Sequence, residues 1–177
     1  TLAGYEYIRK QKELWIQSGG TKGANVVAIN SSFGIDRADC KSGEYKQWND
    51  MYELLGKSGI LSIAATANAG WNIDQVGDVP TGCTSEYIVA VTNSEVSGEK
   101  NPDAGFGTTT IDIAAPGTDI FSTTPDNTFE SMTGTSMATP HVTGSVGYLY
   151  SVASVEFAEL AKSNPAAAAL VVKDTMI

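Results

Sequence analysis

Short apolar segments alternate with helical segments along this chain of 177 residues, and the alternation limits the folds it can adopt more than any other feature. Runs of apolar, β-branched residues predict buried strands at 25–30, 60–67 and 86–93. Helical spacing of apolar residues predicts helices over 1–17 and 44–59. Strands that alternate with helices of this length form βαβ units, because parallel neighbours need a crossover. The prediction is an α/β fold in which helices flank a parallel sheet in three layers.

The second half of the chain continues this pattern. Shorter strands are predicted at 110–117 and 119–124, around a Pro-Gly turn. An apolar helix of small residues is predicted from Thr135 to about Val152. A final helix should open at Pro165, capped by the preceding asparagine. A chain of this length fits one domain, so we expect residues 1–177 to belong to a single domain.

The charge balance argues against two classes of partner. The sequence has 11 basic and 20 acidic residues, for a net charge of −9. Binding to nucleic acid or to an anionic membrane depends on clustered Lys and Arg. No run approaches the ~18 apolar residues of a membrane span. We therefore expect neither nucleic acid nor a membrane as a partner.

The two cysteines, Cys40 and Cys83, both stand in polar, loop-like surroundings. Buried structural thiols are usually set in apolar runs, so this setting favours a disulfide between them and an oxidising compartment. A secreted or periplasmic location follows from that interpretation. Two free thiols, or bridges to a part of the protein outside these residues, are the alternatives.

The segment GTSMATPH, residues 134–141, has the properties of a nucleophile on a turn that opens a helix. Gly134 allows a tight turn and close approach of a substrate. Ser136 would stand where unpaired backbone N–H groups and the helix dipole favour negative charge. Ser136 is thus a candidate nucleophile and a candidate oxyanion donor. A plain helix cap is the alternative for the tripeptide taken alone.

His141 is the only histidine, and helix geometry argues against its acting as the base for Ser136. Each helical residue advances roughly 100°, so a residue five positions later lies about 140° further round. Pro140 adds local bending without reversing that direction. We expect His141 to be a structural residue.

Four segments resemble, in the same order, the subtilisin-like serine proteases of peptidase family S8, the subtilases. GTSMATPHVTG is similar to their active-serine segment. NVVAINSSFG is similar to their substrate-binding strand, GILSIAATANAG to the strand and loop of the oxyanion-hole asparagine, and FGTTTIDIAAPGTDIFST to the segment that leads to the serine. The resemblance covers most of residues 1–150.

The resemblance implies a serine endopeptidase in which Ser136 forms the acyl-enzyme and Asn68 donates its side-chain amide to the oxyanion. Around these two residues it implies a cleft that binds an extended peptide by strand addition. One edge of the cleft would be formed by Ser32, Phe33 and Gly34, and the opposite edge by Ala65, Thr66 and Ala67. The turn before the serine would be formed by Gly134 and Thr135.

Ala67 stands where the family commonly has glycine before the asparagine. Its extra methyl group would narrow the first specificity pocket, which lies between the two edges of the cleft. This difference predicts a preference for small or medium apolar side chains in the substrate.

The family's triad runs Asp, His, Ser along the chain. Neither the aspartate segment nor the histidine segment matches anything in these residues. The resemblance therefore implies that both lie upstream of residue 1, and that the chain is the C-terminal portion of a catalytic domain whose N-terminal strands are missing. We expect the isolated chain to be inactive, with the missing N-terminal half and a polypeptide substrate as its partners.

Two other functions are alternatives to a serine endopeptidase. A non-catalytic, peptide-binding module of the same family, or an inactive fragment, is the alternative if the upstream Asp and His are absent from the parent protein. An esterase of another α/β class would need its catalytic Asp and His after the serine in the chain. No histidine follows His141, so this alternative is set aside.

Calcium is the one cofactor that the resemblance suggests, mostly through the missing segment. No run here has EF-hand spacing, so we predict no metal ligands among these residues. The aspartates of GIDRAD and NIDQVGD are expected in solvated turns.

Overall fold

The computed structural model describes residues 1–40 and 42–177. Its elements alternate as the sequence predicts, although several short ones are added. In chain order they are α1 (Leu2–Gln17), β1 (Ala28–Ser31), β2 (Ile35–Asp36), α2 (Lys46–Lys57), β3 (Leu61–Ala65), α3 (Ile73–Val76), β4 (Asp78–Val79), β5 (Ile88–Ser94), β6 (Ile113–Pro116), β7 (Ile120–Thr124), β8 (Thr128–Met132), α4 (Thr135–Ser151), α5 (Val155–Ser163) and α6 (Pro165–Met176).

A parallel sheet of four strands, ordered β1-β3-β5-β6, forms the centre of the molecule. Every residue of β3 and of β5 is buried, as continuous apolar strands in a sheet covered on both faces should be. Ile63 and Val89 pack under α4 and α6 on one face, whereas Ile29 and Ala64 pack under α1 and α2 on the other. The predicted α/β fold, a parallel sheet flanked by helices, is confirmed.

The edge strands differ from the central ones. β6 ends at Pro116, which an edge position tolerates because proline has no N–H to donate to a further strand. On the opposite side the sheet of the described residues ends at β1. The outer edge of β1 could therefore pair with another parallel strand.

Two antiparallel ribbons and two helices, α3 and α5, were not predicted. β2 pairs with β4, and β7 pairs with β8, so the strand predicted at 119–124 lies outside the central sheet. α5, with its Ser154 cap, follows α4 and packs on α6. The predicted final helix is confirmed: the side chain of Asn164 accepts a hydrogen bond from the Ala167 N–H at 3.2 Å. None of the helices described is long and apolar enough to cross a membrane.

A disulfide joins the two short segments that follow β2 and β4. The sulfurs of Cys40 and Cys83 are 1.93 Å apart and their Cα atoms 4.9 Å apart. The cross-link therefore joins the segments that leave the β2/β4 ribbon. This ribbon borders the candidate site described next.

Candidate active site

The candidate site forms where the carboxyl ends of β1 and β3 meet the N-terminus of α4. In open parallel sheets such a position is where ligands bind. Ser136, in the first turn of α4, is half-buried. Its Oγ lies 3.4 Å from the Ser32 carbonyl oxygen, while the Ser32 Oγ donates to the Ser136 carbonyl at 2.9 Å. The segment after β1 is thus tied to the turn that carries Ser136.

Thr135 fixes the orientation of the Asn68 side chain. Asn68 Oδ1 accepts a hydrogen bond from the Thr135 backbone N–H at 2.9 Å, and the Thr135 Oγ1 lies 3.0 Å from the same oxygen. The Thr135 hydroxyl is also 2.6 Å from the Thr66 carbonyl, so it can donate to either acceptor. Because a backbone N–H needs an acceptor, the amide oxygen must face Thr135 and the NH₂ must face away. Within the described part of the chain, the Asn68 NH₂ donates no hydrogen bond.

A side chain at position 134, in the turn before α4, would crowd Asn68. The Gly134 N–H donates to the Gly117 carbonyl at 2.8 Å, and a Cβ on Gly134 would lie 3.1 Å from Asn68 Oδ1. Gly134 therefore lets Asn68 lie directly against the start of the helix. The Ser136 N–H, in the first turn, has no intrahelical acceptor. This N–H and the Asn68 NH₂ are thus two donors on residues that line one cavity.

His141 is engaged away from Ser136. Its Nδ1 lies 2.8 Å from the Met137 carbonyl, one turn back on the same helix, and the residue is exposed. Across the described residues no hydrogen bond joins His141 to Ser136. This arrangement agrees with the helix geometry expected from the sequence.

A cavity of about 160 Å³ lies beside Ser136 and Asn68. The two predicted edges of the cleft contribute half of the residues in its wall. The predicted residues in that wall are Phe33, Gly34, Ala65, Thr66, Ala67 and Thr135. Ser32 and Gly134 do not line the cavity, but they bond or abut the residues that do.

Two carboxylates, Asp36 and Asp78, also line this cavity, and neither was among the predicted site residues. Asp78 is only 1% exposed, so placing it in a solvated turn was wrong. Burial raises the pKa of Asp78 to about 6; Thr81 and Thr66 oppose this shift, and the nearby Asp36 charge adds to it. The apolar pocket inferred from Ala67 alone thus carries acidic groups in its wall.

No local signal in the sequence could have revealed these carboxylates. Asp36 and Asp78 are brought opposite each other by the pairing of β2 with β4, two strands of two residues each. Asp74, from the same stretch as Asp78, is instead exposed, and hydrogen bonds from the Thr108–Thr110 segment lower its pKa. Aspartates four positions apart in one short stretch of the chain therefore meet opposite environments.

The described residues contain no group of three or more His, Cys, Asp or Glu side chains that could hold a metal ion.

Comparison with known proteins identifies the family. The profile of the subtilase family matches residues 3–175. Thermitase of Thermoactinomyces vulgaris is 31% identical over 130 residues, which are 73% of this chain and 42% of that protein. Subtilisin DY of Bacillus licheniformis is 35% identical over 147 residues, 79% of this chain and 52% of that protein.

A crystal structure of a cold-adapted subtilisin-like serine proteinase has the same fold, with a TM-score of 0.64, 21% identity and coverage of 96% of this chain and 52% of that one. The chain thus spans about half the length, or less, of each of these proteins. A family match along nearly its whole length, together with the parallel sheet and the serine at the start of α4, shows that this chain belongs to the subtilase family.

Proposed function

We propose that this chain carries the nucleophile and the oxyanion hole of a serine endopeptidase. Ser136 Oγ attacks the scissile carbonyl carbon, and the Asn68 NH₂ and the Ser136 N–H donate to the oxygen that becomes negative. The observation that carries the proposal is the hydrogen bond from the Thr135 N–H to Asn68 Oδ1 at 2.9 Å. It directs the Asn68 NH₂ away from Thr135 and leaves it free to donate to a substrate. A donor held in place before the reaction stabilises the oxyanion without reorganising.

The reaction proceeds through an acyl-enzyme. The Ser136 hydroxyl transfers its proton to a base as the new C–O bond forms, and that proton then passes to the leaving amine as the C–N bond breaks. Water, deprotonated by the same base, attacks the ester, and the proton returns to Ser136 Oγ when the acid leaves. Both half-reactions therefore need one group that accepts and returns a proton.

We further propose that this base is a histidine, supported by an aspartate, from a part of the protein outside residues 1–177. The engagement of the sole histidine, His141, with the Met137 carbonyl at 2.8 Å supports this assignment. In this proposal the residues are the C-terminal portion of one catalytic domain. The outer edge of β1 is the surface on which strands of the N-terminal half would pair.

The substrate is proposed to be an extended polypeptide lying between two segments, 32–34 and 65–67. Both follow strands of the central sheet, and their backbone can pair with a peptide as added strands do. Ser32 and Thr66 tie the two segments to α4 through hydrogen bonds. A secreted or periplasmic location is proposed from the Cys40–Cys83 disulfide, which requires an oxidising compartment.

The test of the nucleophile uses the full-length protein and a fluorophosphonate that forms a bond to activated serines. The wild type should be labelled on Ser136, and Ser136→Ala should lose both labelling and peptide hydrolysis. Ser145→Ala is the matched control, because Ser145 is an exposed serine on the same helix that bonds the His141 carbonyl. The control should be labelled like the wild type.

A wild type that is neither labelled nor hydrolytic, yet binds peptides, would replace the endopeptidase with a non-catalytic peptide-binding module. Labelling of Ser136 in the isolated 177-residue chain would instead overturn the assignment of the base to another segment.

The test of the oxyanion hole separates the two functions of Asn68. Asn68→Asp keeps an oxygen to accept the Thr135 N–H but removes the donor. We expect kcat to fall by about 10²–10³, the loss known for the corresponding asparagine of subtilisin and a value taken from that enzyme rather than from this structure. Peptide binding should persist. Unchanged kcat in Asn68→Asp would contradict the role of Asn68.

A further inference from the structure

The cavity beside Ser136 contains a buried carboxylate that the chemistry above does not use. Asp78 is 1% exposed and lines the cavity together with Ser136 and Asn68. The Thr81 hydroxyl donates a hydrogen bond to it, and the Thr66 hydroxyl and the Ala67 N–H lie close enough to lower its pKa as well; all three groups are neutral. No Lys, Arg or His side chain of the described residues forms an ion pair with it. Buried carboxylates in proteins are normally paired with a cation, so Asp78 lacks its usual partner.

A second carboxylate faces the first across the β2/β4 ribbon. Asp36 and Asp78 are directly opposite in the antiparallel register, so their side chains lie on the same face of the ribbon. Like charges at opposed positions destabilise a strand pair. Arg37, next to Asp36 in the sequence, does not relieve the repulsion, because its guanidinium lies 4.2 Å from the centroid of the Trp71 ring.

Thr66 is another polar group in the wall of this cavity. It is 3% exposed, and its hydroxyl lies close enough to Asp78 to lower the pKa of that carboxyl, but it makes no hydrogen bond of normal geometry within the described residues. A buried hydroxyl without a well-formed hydrogen bond is rare, because leaving it unpaired is unfavourable. Its oxygen can accept a hydrogen bond from a ligand that also donates to Asp78.

Resting on the proposed function, we propose that this cavity takes the positively charged side chain of the substrate residue whose carbonyl is attacked, a lysine or an arginine, and that Asp78 is the specificity-determining residue. A cation would donate hydrogen bonds to the Asp78 carboxylate and to Thr66, and Asp36 would add its charge at the exposed side. The cavity, at about 160 Å³, has room for one side chain. This assignment replaces the apolar preference expected from Ala67.

Charge and burial together make this recognition selective. Burial raises the pKa of Asp78 to about 6. A neutral substrate side chain leaves this carboxyl group without a counter-charge, so its ionised form stays unfavourable. A cation favours the ionised form and forms charge-assisted hydrogen bonds with it. Discrimination should therefore increase with pH as Asp78 loses its proton. The groups that face Asp78 are the Asp36 carboxylate, the Thr66 and Thr81 hydroxyls and the Ala67 N–H.

The experiment measures kcat/KM of the full-length protein for peptides that differ only at the residue before the scissile bond. Lysine is compared with norleucine, and arginine with citrulline, because each neutral side chain nearly matches the shape of its charged partner. We expect each charged peptide to be cleaved about 10- to 100-fold faster, the range that corresponds to one charge-assisted hydrogen bond in a buried site. The lysine-to-norleucine ratio should rise between pH 5 and pH 7, and taking a ratio cancels the titration of the catalytic base.

The variant Asp78→Asn should reduce the lysine-to-norleucine ratio to near one. Asp174→Asn is the matched control: it also removes one negative charge, but from an exposed position on α6, and should keep the wild-type ratio. A ratio within one variant does not depend on how much of the protein is folded. The wild-type ratio by itself tests the proposal if Asp78→Asn does not fold.

The outcomes separate this inference from the proposed function. If the wild type cleaves norleucine, leucine or phenylalanine peptides as well as or better than lysine and arginine peptides, the specificity assigned to Asp78 is wrong while the endopeptidase stands. If no peptide is cleaved and Ser136 is not labelled, the proposed function fails. A control variant that loses the ratio together with Asp78→Asn would show a general charge effect and would also overturn the role of Asp78.

Discussion

Replacing the buried aspartate of the pocket should change how the stability of the protein depends on pH. The folded state raises the pKa of Asp78 to about 6, mainly through burial, from an ordinary value of 3.8. A folded state that holds a proton more tightly than the unfolded chain is favoured at low pH. This contribution is complete below pH 3.8 and is lost progressively as pH rises through about 6.

The size of the effect follows from the two pKa values. Their separation corresponds to a loss of about 3 kcal/mol when Asp78 is fully ionised. About half of that is already lost at pH 5, so roughly 1.4 kcal/mol should separate pH 5 from pH 8. Asp78→Asn cannot ionise, and its amide oxygen can still accept from Thr81. The variant should therefore gain stability relative to its parent by this amount between the two pH values.

The assay is urea unfolding of the full-length protein, followed by tryptophan fluorescence at pH 5 and pH 8. Ser136→Ala is present throughout so that self-digestion does not distort the curves. The quantity compared is the free energy of unfolding of Asp78→Asn minus that of its parent, and Asp174→Asn serves as the control. A difference for Asp78→Asn that is the same at both pH values would refute the reasoning that Asp78 ionises while buried.

Three further predictions concern residues outside the pocket. Replacing Cys40 and Cys83 together by serine should lower the free energy of unfolding by about 4 kcal/mol, since their separation of 43 residues sets the loop entropy; a urea-measured loss below about 1 kcal/mol would contradict this. Burial lowers the pKa of Lys12 from 10.5 to about 8, so its contribution to stability is present above pH 10.5 and is lost as pH falls through 8. Lys12→Met should therefore be more stable than the wild type at pH 7, by about 2 kcal/mol once the loss of the hydrogen bond from Lys12 to Asn25 is subtracted. A lower free energy of unfolding for the variant than for the wild type, measured in urea at that pH, would disprove this. His141→Gln should keep fluorophosphonate labelling of Ser136 within about twofold, because the helix geometry excludes His141 as the base, and loss of labelling would show otherwise.

Elements with a strong local pattern could be predicted from the sequence. The apolar β-branched runs gave β1, β3 and β5 to within a few residues, and the helix predicted from Thr135 begins there. Such patterns suffice because burial on both faces of a parallel strand, or along a helix, leaves a periodic trace. The β2/β4 ribbon leaves no trace, since each of its strands has two residues and its pairing depends on distant contacts.

The disulfide lies between these two cases. The polar settings of Cys40 and Cys83 favoured a bond without excluding free thiols or other partners. Their Cα atoms lie 4.9 Å apart although 43 positions separate them in the chain, so their meeting is a tertiary contact that the polar settings do not record.

The candidate nucleophile and oxyanion donor were likewise accessible from the sequence, through the family resemblance of the segments around Ser136 and Asn68. Parallel strands end at the same edge of a sheet, so residues that follow them in the chain converge there whatever their separation. The direction of the Asn68 amide was not accessible, because it depends on hydrogen bonds from Thr135, 67 positions away.

The sequence by itself determined the class of fold, the helix that carries Ser136 and the segments that converge on it. Each of these leaves a local pattern of burial or a family motif in the sequence. Only the tertiary structure decided the character of the pocket. Whether an aspartate lies in water or in a wall depends on what packs over it, and neither its neighbours in the chain nor its residue type records that. Asp74 and Asp78 belong to the same stretch, yet one is exposed and the other buried beside Ser136.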